Sequence, residues 1–364
     1  MKKKLIIFMP SIEGGGVEKN LFLVSNYLSK KIDCVSLITI SKKYKKKFNN
    51  SIEFISLISS YWDNLSRRSK YFLSIFLLIR EILKNRNIVV FAFQANIYCI
   101  IVCKIFCIKV IARSNAAPIG WSRNILKKLI FKFCLNLADK VMVNSIQFKK
   151  DLKKEFNVNA TCIYNPLNYD EILKNSKKKT KKIFTNKRQL RILNIGRFTE
   201  QKDQMTFLKA LNQIKGIIKF EAVIVGRGKL HKDLLEYILK NDLKKFVKII
   251  NFTENPFPLL KQTELFILSS KYEGLPNVLL EALTLKKFII SSKCPTGPKE
   301  ILLNGKGGLL FNVGNHNQLA NKIIYYEENK KKCLSMLQLA IKKLYRFDYK
   351  INLKKYLNLV NQIS

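Results

Sequence analysis

Lys271-Tyr272-Glu273-Gly274-Leu275-Pro276-Asn277-Val278-Leu279-Leu280-Glu281 sets two carboxylates eight positions apart across a strand-to-helix turn. The apolar run from Leu265 to Leu268 has the character of a buried parallel strand, and Ser269 to Gly274 forms its exit loop. Pro276 sits where proline is favoured, at the first position of a helix, with Leu279, Leu280 and Leu283 spaced to face a core. Glu273 therefore falls in the loop at the carboxyl end of a strand, where open α/β sheets bind ligands, and Glu281 rides about two turns along the helix. The amide N–H groups at the start of that helix point back toward the loop and suit a diphosphate. The alternative is an ordinary βα turn carrying two solvated glutamates.

A second element upstream has the same architecture: Asn194-Ile195-Gly196-Arg197-Phe198-Thr199-Glu200-Gln201-Lys202-Asp203. Arg191 to Ile195 is a short apolar strand, Gly196 permits a sharp turn, and Asp203 caps a helix whose apolar face is Met205, Phe207, Leu208 and Leu211. Arg197 and Lys202 stay on the exit loop. Two cations beside a helix N-terminus suit a leaving diphosphate, which gains negative charge as a bond to it breaks. A basic surface loop in a basic protein is the bland alternative.

On these elements the chain resembles the family 4 retaining glycosyltransferases of the GT-B fold, over nearly its whole length. The marks are Gly14-Gly15-Gly16-Val17-Glu18, Gly196-Arg197-Phe198 with Lys202-Asp203, Val225-Gly226-Arg227-Gly228, the pair Glu273 and Glu281, and Gly297-Pro298-Lys299-Glu300-Ile301 before Gly307-Gly308-Leu309-Leu310. The resemblance implies an α/β protein of two Rossmann-like parallel-sheet domains facing across a cleft, with a C-terminal helix returning to the first domain. It implies that Arg197 and Lys202 hold the donor phosphates, that Glu273 lies near the transferred sugar, and that Glu281 lies near the nucleotide ribose. Gly15, Gly16, Gly196, Gly226, Asn277 and Val278 complete the implied donor site. Many relatives place a histidine after the fourth or fifth strand of the first domain. Here the stretch is Ile111-Ala112-Arg113-Ser114-Asn115-Ala116-Ala117-Pro118, and the only histidines are His231 and His316. A retaining front-face mechanism does not need that histidine, because the leaving phosphate can accept the acceptor's proton. Arg113, Ser114 and Asn115 are the acceptor-binding candidates, through hydrogen bonds to sugar hydroxyls.

The 364 residues suffice for two α/β domains, and 48% hydrophobic residues excludes wholesale disorder. Short apolar strands alternate with amphipathic helices from Leu5 to Val143, and a second alternating series runs from Arg191 to about Tyr326. The expected division is 1–173 for an acceptor domain, 174–189 for a lysine-rich linker, 190–345 for a nucleotide-sugar domain, and 346–364 for the returning helix.

The formal net charge is +42, with 37 basic and 11 acidic side chains in residues 1–189 alone. Such a surplus favours anionic partners. Abundant Lys, Ile and Asn also fit a codon bias, but that bias leaves unexplained why basic and large apolar residues interleave in Leu65 to Arg86 and Asn124 to Lys140. Segments such as Tyr71 to Ile79, flanked by Arg67, Arg68, Lys70 and Arg80, suit a membrane interface, although core helices are the expected fate of most of these apolar residues. No apolar run reaches the roughly 20 residues of a membrane span. Met1-Lys2-Lys3-Lys4 precedes too short an apolar run for a signal peptide, so residence in the cytoplasm, peripheral on the inner face of the membrane, is expected. Cys99, Cys103 and Cys107 lack CxxC spacing and are expected to be buried thiols.

Rival chemistries fit poorly. Gly14-Gly15-Gly16 has Lys19 where a dinucleotide fingerprint needs its last glycine, Gly226-Arg227-Gly228 has His231 there, and no acidic residue follows Val35 to Ile40. No P-loop and no Asp-x-Asp metal motif occurs, so no cofactor and no metal are expected. The expected partners are a nucleotide-sugar donor, UDP-linked in preference, a glycan or lipid-linked acceptor and an anionic membrane surface, in cell-surface polysaccharide or lipopolysaccharide synthesis. No nucleic acid is expected. A basic nucleic-acid-binding protein, and a GT-B relative with epimerase or phosphorylase activity, remain as alternatives.

Overall fold

The computed structural model describes residues 4–57, 60–115, 124–186 and 188–363. The basic start Met1-Lys2-Lys3, the stretch Ala116-Ala117-Pro118 and Lys187 of the linker segment lie outside them. The chain divides into two compact units: Met1–Pro166 with Tyr349–Ser364, and Leu167–Asp348.

In the first unit β1 (Lys4–Phe8), β2 (Val35–Ile38), β3 (Glu53–Ile55), β4 (Ile88–Ala92), β5 (Lys109–Arg113), β6 (Lys140–Val143) and β7 (Ala160–Cys162) form one parallel sheet, ordered β3-β2-β1-β4-β5-β6-β7. Successive side chains of a strand point to opposite faces, and both faces here are covered. Ile6, Phe8, Val90 and Ala92 pack into one core; Leu5, Ile7, Val89 and Phe91 pack into the other. That second core also takes Leu353, Tyr356, Leu359 and Val360 of the helix Tyr349–Asn361, so the last helix does return to the first unit.

In the second unit β8 (Leu190–Ile195), β9 (Phe220–Gly226), β10 (Val247–Asn251), β11 (Leu265–Leu268), β12 (Phe288–Ser292) and β13 (Leu309–Phe311) form a parallel sheet ordered β10-β9-β8-β11-β12-β13. Strand order reverses between β1 and β4 in one sheet and between β8 and β11 in the other. At such a switch point the exit loops part and leave a crevice at the carboxyl ends of the strands. The Gly196–Lys202 and Ser269–Pro276 stretches are the exit loops at the second of these points.

The lysine-rich stretch 174–189 lies within the second unit. The helix Tyr169–Ser176 packs on the helices Phe257–Gln262 and Asn277–Thr284. Ile183 and Phe184 are buried, and Glu221 accepts bonds of 2.6–2.7 Å from the Thr185 hydroxyl and the amides of Thr185 and Asn186.

Three local expectations change. Pro276 is the N-cap of Asn277–Thr284 rather than its first residue, and having no N–H it leaves Asn277 and Val278 to present the leading amides. Cys99 and Cys103 are buried, but Cys107 is exposed with φ +57°, because it sits in the turn that ends the helix Asn96–Ile105. The apolar residues of the basic stretches are not mainly core. Leu77, Leu78, Ile82, Cys134 and Leu135 are buried, whereas Phe72, Phe76, Leu83, Ile125, Leu126 and Phe133 are exposed. Among the described residues no helix is long and apolar enough to cross a membrane.

Candidate active site

The β8 exit loop is built against that of β9 by missing side chains. A Cβ on Gly226 would lie 1.9 Å from the Gly196 carbonyl oxygen, and one on Gly228 would lie 2.4 Å from the Phe198 oxygen. Only glycine allows that approach. Phe198 is fully buried, donates its amide to the Arg227 oxygen at 2.9 Å and stacks on His231 at 5.7 Å. With Phe198 fixed, Arg197 is turned outward: its side chain is exposed while its carbonyl accepts from Gln204 Nε2 at 3.1 Å. Asp203, at φ +47°, caps the helix Gln204–Ile214 through the Thr206 hydroxyl (2.7 Å) and amide (3.4 Å).

Lys202 and Glu273 meet. Nζ of Lys202 donates to Oε1 of Glu273 at 2.5 Å, and the Ser270 hydroxyl donates to the same oxygen at 2.6 Å. The loops that carry them are laced together by Lys271 N to Gln201 O (2.8 Å), Gln201 Nε2 to Tyr272 O (3.0 Å) and Ser269 Oγ to Lys202 O (2.9 Å). From β12 and its exit, Ser292 donates to Ser270 O and Thr296 to Glu273 O, both at 2.6 Å. Gly297, at φ +60°, passes so close that a Cβ there would lie 2.2 Å from the Gly274 oxygen. Glu273 is 7% exposed and Glu281 5%, which excludes two solvated glutamates. Cys294, fully buried beside them, has its thiol pushed up to about 12, by burial first and then by the Glu273 charge. The arrangement is a buried carboxylate fixed by a cation and a hydroxyl, with an exposed arginine on the cation's own loop and the N-terminus of Asn277–Thr284 just after the carboxylate. It offers positive charge for a phosphate and an acceptor oxygen for a sugar or ribose hydroxyl. Ser270, Thr296 and Gln201 were not singled out from the sequence. The paired Ser269-Ser270 closing an apolar strand was the available signal.

In the first unit Gly15 and Gly16 are exposed at the start of the helix Gly16–Leu28. Here the loop already holds an anion of its own, since the Glu18 carboxylate accepts from the amides of Gly15 (3.0 Å) and Glu13 (3.3 Å). This one-sided cap, from the Glu18 carboxylate alone because the N-cap is glycine, fixes the loop. Arg113, at the end of β5, is fully buried. Its Nη2 donates to Asn165 Oδ1 at 3.0 Å and its guanidinium lies 5.0 Å from the Phe93 ring centre. Asn115 Nδ2 donates to Phe93 O at 2.8 Å and Ser114 N to Met142 O at 2.8 Å. Arg113 and Asn115 thus tie together strand ends of the sheet, and Asn115, half-buried, is the more open of the three acceptor candidates.

Residues 175–343 match the family model of the glycosyl transferases group 1, so the second unit is a glycosyl transferases group 1 domain, carried in a chain of GT-B fold. The chain is 26% identical over 332 residues to N-acetylgalactosamine-N,N'-diacetylbacillosaminyl-diphospho-undecaprenol 4-alpha-N-acetylgalactosaminyltransferase of Campylobacter jejuni, covering 87% of this chain and 88% of that one. It is 34% identical over 180 residues to an uncharacterized glycosyltransferase of Methanocaldococcus jannaschii, covering 48% of this chain and 44% of that protein. The crystal structure of Anabaena HepE in complex with UDP superposes with a TM-score of 0.76 at 16% identity, covering 99% of this chain and all of that one.

Proposed function

We propose that this protein is a retaining, metal-independent glycosyltransferase that moves a hexose or N-acetylhexosamine from a UDP-sugar to a lipid-linked glycan in cell-surface polysaccharide synthesis. The observation that carries the reading is the Lys202–Glu273 pair at the reversal of strand order in the second sheet. When the bond between sugar and diphosphate breaks, charge builds on the phosphate oxygens, and fixed cations with helix-start amides stabilise it without reorganising. Arg197 and Lys202 supply those cations; Asn277 and Val278 supply the amides. Glu273, oriented by Ser270 and Lys202, holds a sugar hydroxyl, and Glu281 holds the ribose. The leaving phosphate, left with a lone pair, takes the proton of the attacking hydroxyl on the same face of the sugar, which keeps the anomeric configuration. Acceptor recognition is assigned to the first unit, with Asn115 and Ser114 the residues nearest its surface.

The UDP preference is supported by the HepE complex, and the lipid-linked acceptor by the diphospho-undecaprenol substrate named for the Campylobacter relative. A thermal-shift panel of UDP-, GDP- and ADP-sugars should show the largest stabilisation with a UDP-sugar. Label from that donor should then enter an extractable lipid in the presence of EDTA. Stabilisation by none of the three, or label returned as an epimer or as a sugar phosphate, would refute the reading.

A further inference from the structure

Three helices side by side on the first unit carry an apolar surface that nothing in the described residues covers. Asn96–Ile105 packs against both Arg67–Lys84 and Ile125–Leu137. The rings of Tyr71 and Tyr98 lie 6.5 Å apart across one contact, and Lys104 bonds Asp139 at 2.5 Å beside the other. Ile125–Leu137 is the extreme case, since only Cys134 and Leu135 of its 13 residues are buried. Ile125 is 73% exposed, Leu126 70% and Phe133 66%, with Leu129 and Ile130 also exposed. At about 100° per residue those five side chains fall within an arc of about 140°, with Lys132 just beyond one margin and Lys127 beyond the other. Phe76 of Arg67–Lys84 and Ile105 of Asn96–Ile105 are exposed as well, at 63% and 70%.

Charge on this face is one-sided. The acidic residues of the three helices and of the turn after the last of them are Glu81 and Asp139. Lys4, Arg80 and Lys84 engage Glu81, and Lys104 and Lys109 engage Asp139. Neither Lys127 nor Lys132 has a carboxylate within ion-pair distance among the described residues. An apolar arc bracketed by free lysines is what a helix needs to lie in a lipid interface, its apolar side chains among the acyl chains and its ammonium groups at the phosphates. A second copy of the chain would bring the same uncompensated cations together, and a nucleic acid would satisfy the lysines but leave the apolar centre without use.

We propose that this face seats the first unit on an anionic phospholipid bilayer, with the helix Ile125–Leu137 in the interface and Leu126, Leu129, Ile130 and Phe133 penetrating it. The inference rests on exposed side chains and local charge, not on the proposed reaction, and its test needs no turnover. The protein should co-sediment with vesicles of phosphatidylcholine and phosphatidylglycerol, and about tenfold less with phosphatidylcholine alone. Leu126→Ser with Ile130→Ser and Phe133→Ser should lower the first binding about tenfold, and so should Lys127→Glu with Lys132→Glu, the latter loss being masked by high salt. The replaced side chains are exposed, so melting temperatures should not change. Leu129→Trp should place an indole whose emission shifts to the blue on the anionic vesicles. The proposal is overturned if the triple-serine variant binds vesicles as the parent does, or if the Leu129→Trp variant shows no emission shift. It is equally overturned if the parent ignores vesicles and forms a dimer that the serine changes dissolve.

Discussion

Lys202 Nζ and Glu273 Oε1 lie 2.5 Å apart although 71 positions separate the two residues in the chain. Their contact joins the exit loops of β8 and β11, which are neighbours only because the sheet changes direction between those strands. Both side chains are largely withdrawn from water, at 17% and 8% exposure. A pair in that setting is organised before any ligand arrives, so the position of the lysine is set by the glutamate and the reverse.

Lys202 and Arg197 should therefore fail differently. Arg197→Ala removes an exposed cation and should lower kcat by ten- to about a thousandfold with the melting temperature unchanged. Lys202→Ala should lower kcat on the same scale. It also strips a buried carboxylate of its cation, a loss of about 3 kcal/mol in stability. Thermal unfolding of the two variants beside steady-state kinetics separates the cases. Equal melting temperatures would mean that Glu273 does not depend on Lys202.

The two carboxylates should part along binding and turnover. If Glu281 holds the ribose as proposed, Glu281→Gln should weaken charge-assisted bonds to its hydroxyls, each worth about 1.5–3 kcal/mol, and show as a raised Kd for the nucleotide. Glu273→Gln keeps the size of the side chain but loses the ion pair, and should show chiefly in kcat. Calorimetric titration with UDP beside initial rates reads both. Changes within about twofold for both variants would remove these residues from the donor site.

The features legible in the sequence were those whose signal is local. The strand Leu265–Leu268, the turn at Gly274 to Pro276 and the Asp203 cap each follow from neighbours a few positions away. The GT-B fold is what the family resemblance implies, and two such elements in order are its most specific marks. Contacts closed by strand order were not legible: that Ser270 and Lys202 share one oxygen of Glu273, or that Thr296 holds its carbonyl, depends on β8, β11 and β12 lying side by side. The apolar residues of Asn124 to Lys140 misled for a related reason. Helical spacing shows that Ile125, Leu129 and Phe133 share a face, but not whether the protein covers it.

Glycine spacing gives a steric prediction. A methyl group on Gly226 meets the Gly196 oxygen at 1.9 Å, and that atom is backbone, so it cannot rotate away. Gly226→Ala should push the loop that carries Arg197 and Phe198 away from the exit of β9, raising the Kd for the donor together with a fall in melting temperature. Gly216→Ala is the control for a general cost of losing glycine: it has φ +90° but open space around it, so it should lower stability through backbone strain alone and leave donor affinity intact. Equal donor affinity in both variants would show that the close approach of β8 and β9 does not shape the site.

Lys287 should make stability depend on pH in an unusual direction. It follows the helix Asn277–Thr284, donates to Lys261 O at 2.9 Å, and has its ammonium pushed down from 10.5 to about 8, by burial first and then by the Arg191 charge. Below the folded value the lysine is charged in both the folded and unfolded chains, and the folded chain bears the whole cost of holding that charge. Between about 8 and 10.5 the folded chain releases its proton while the unfolded chain keeps it, so the unfolded state binds more protons and stability rises with pH. Above both values the cost is gone. Lys287→Met, which fills the same space without the charge, should melt higher than the parent at pH 7, and the gap should close as the pH approaches 10. Melting curves of the pair across that range cancel the titrations they share. A gap that stays constant would show that the half-buried ammonium carries no cost, and one that widens with pH would give it the opposite sign.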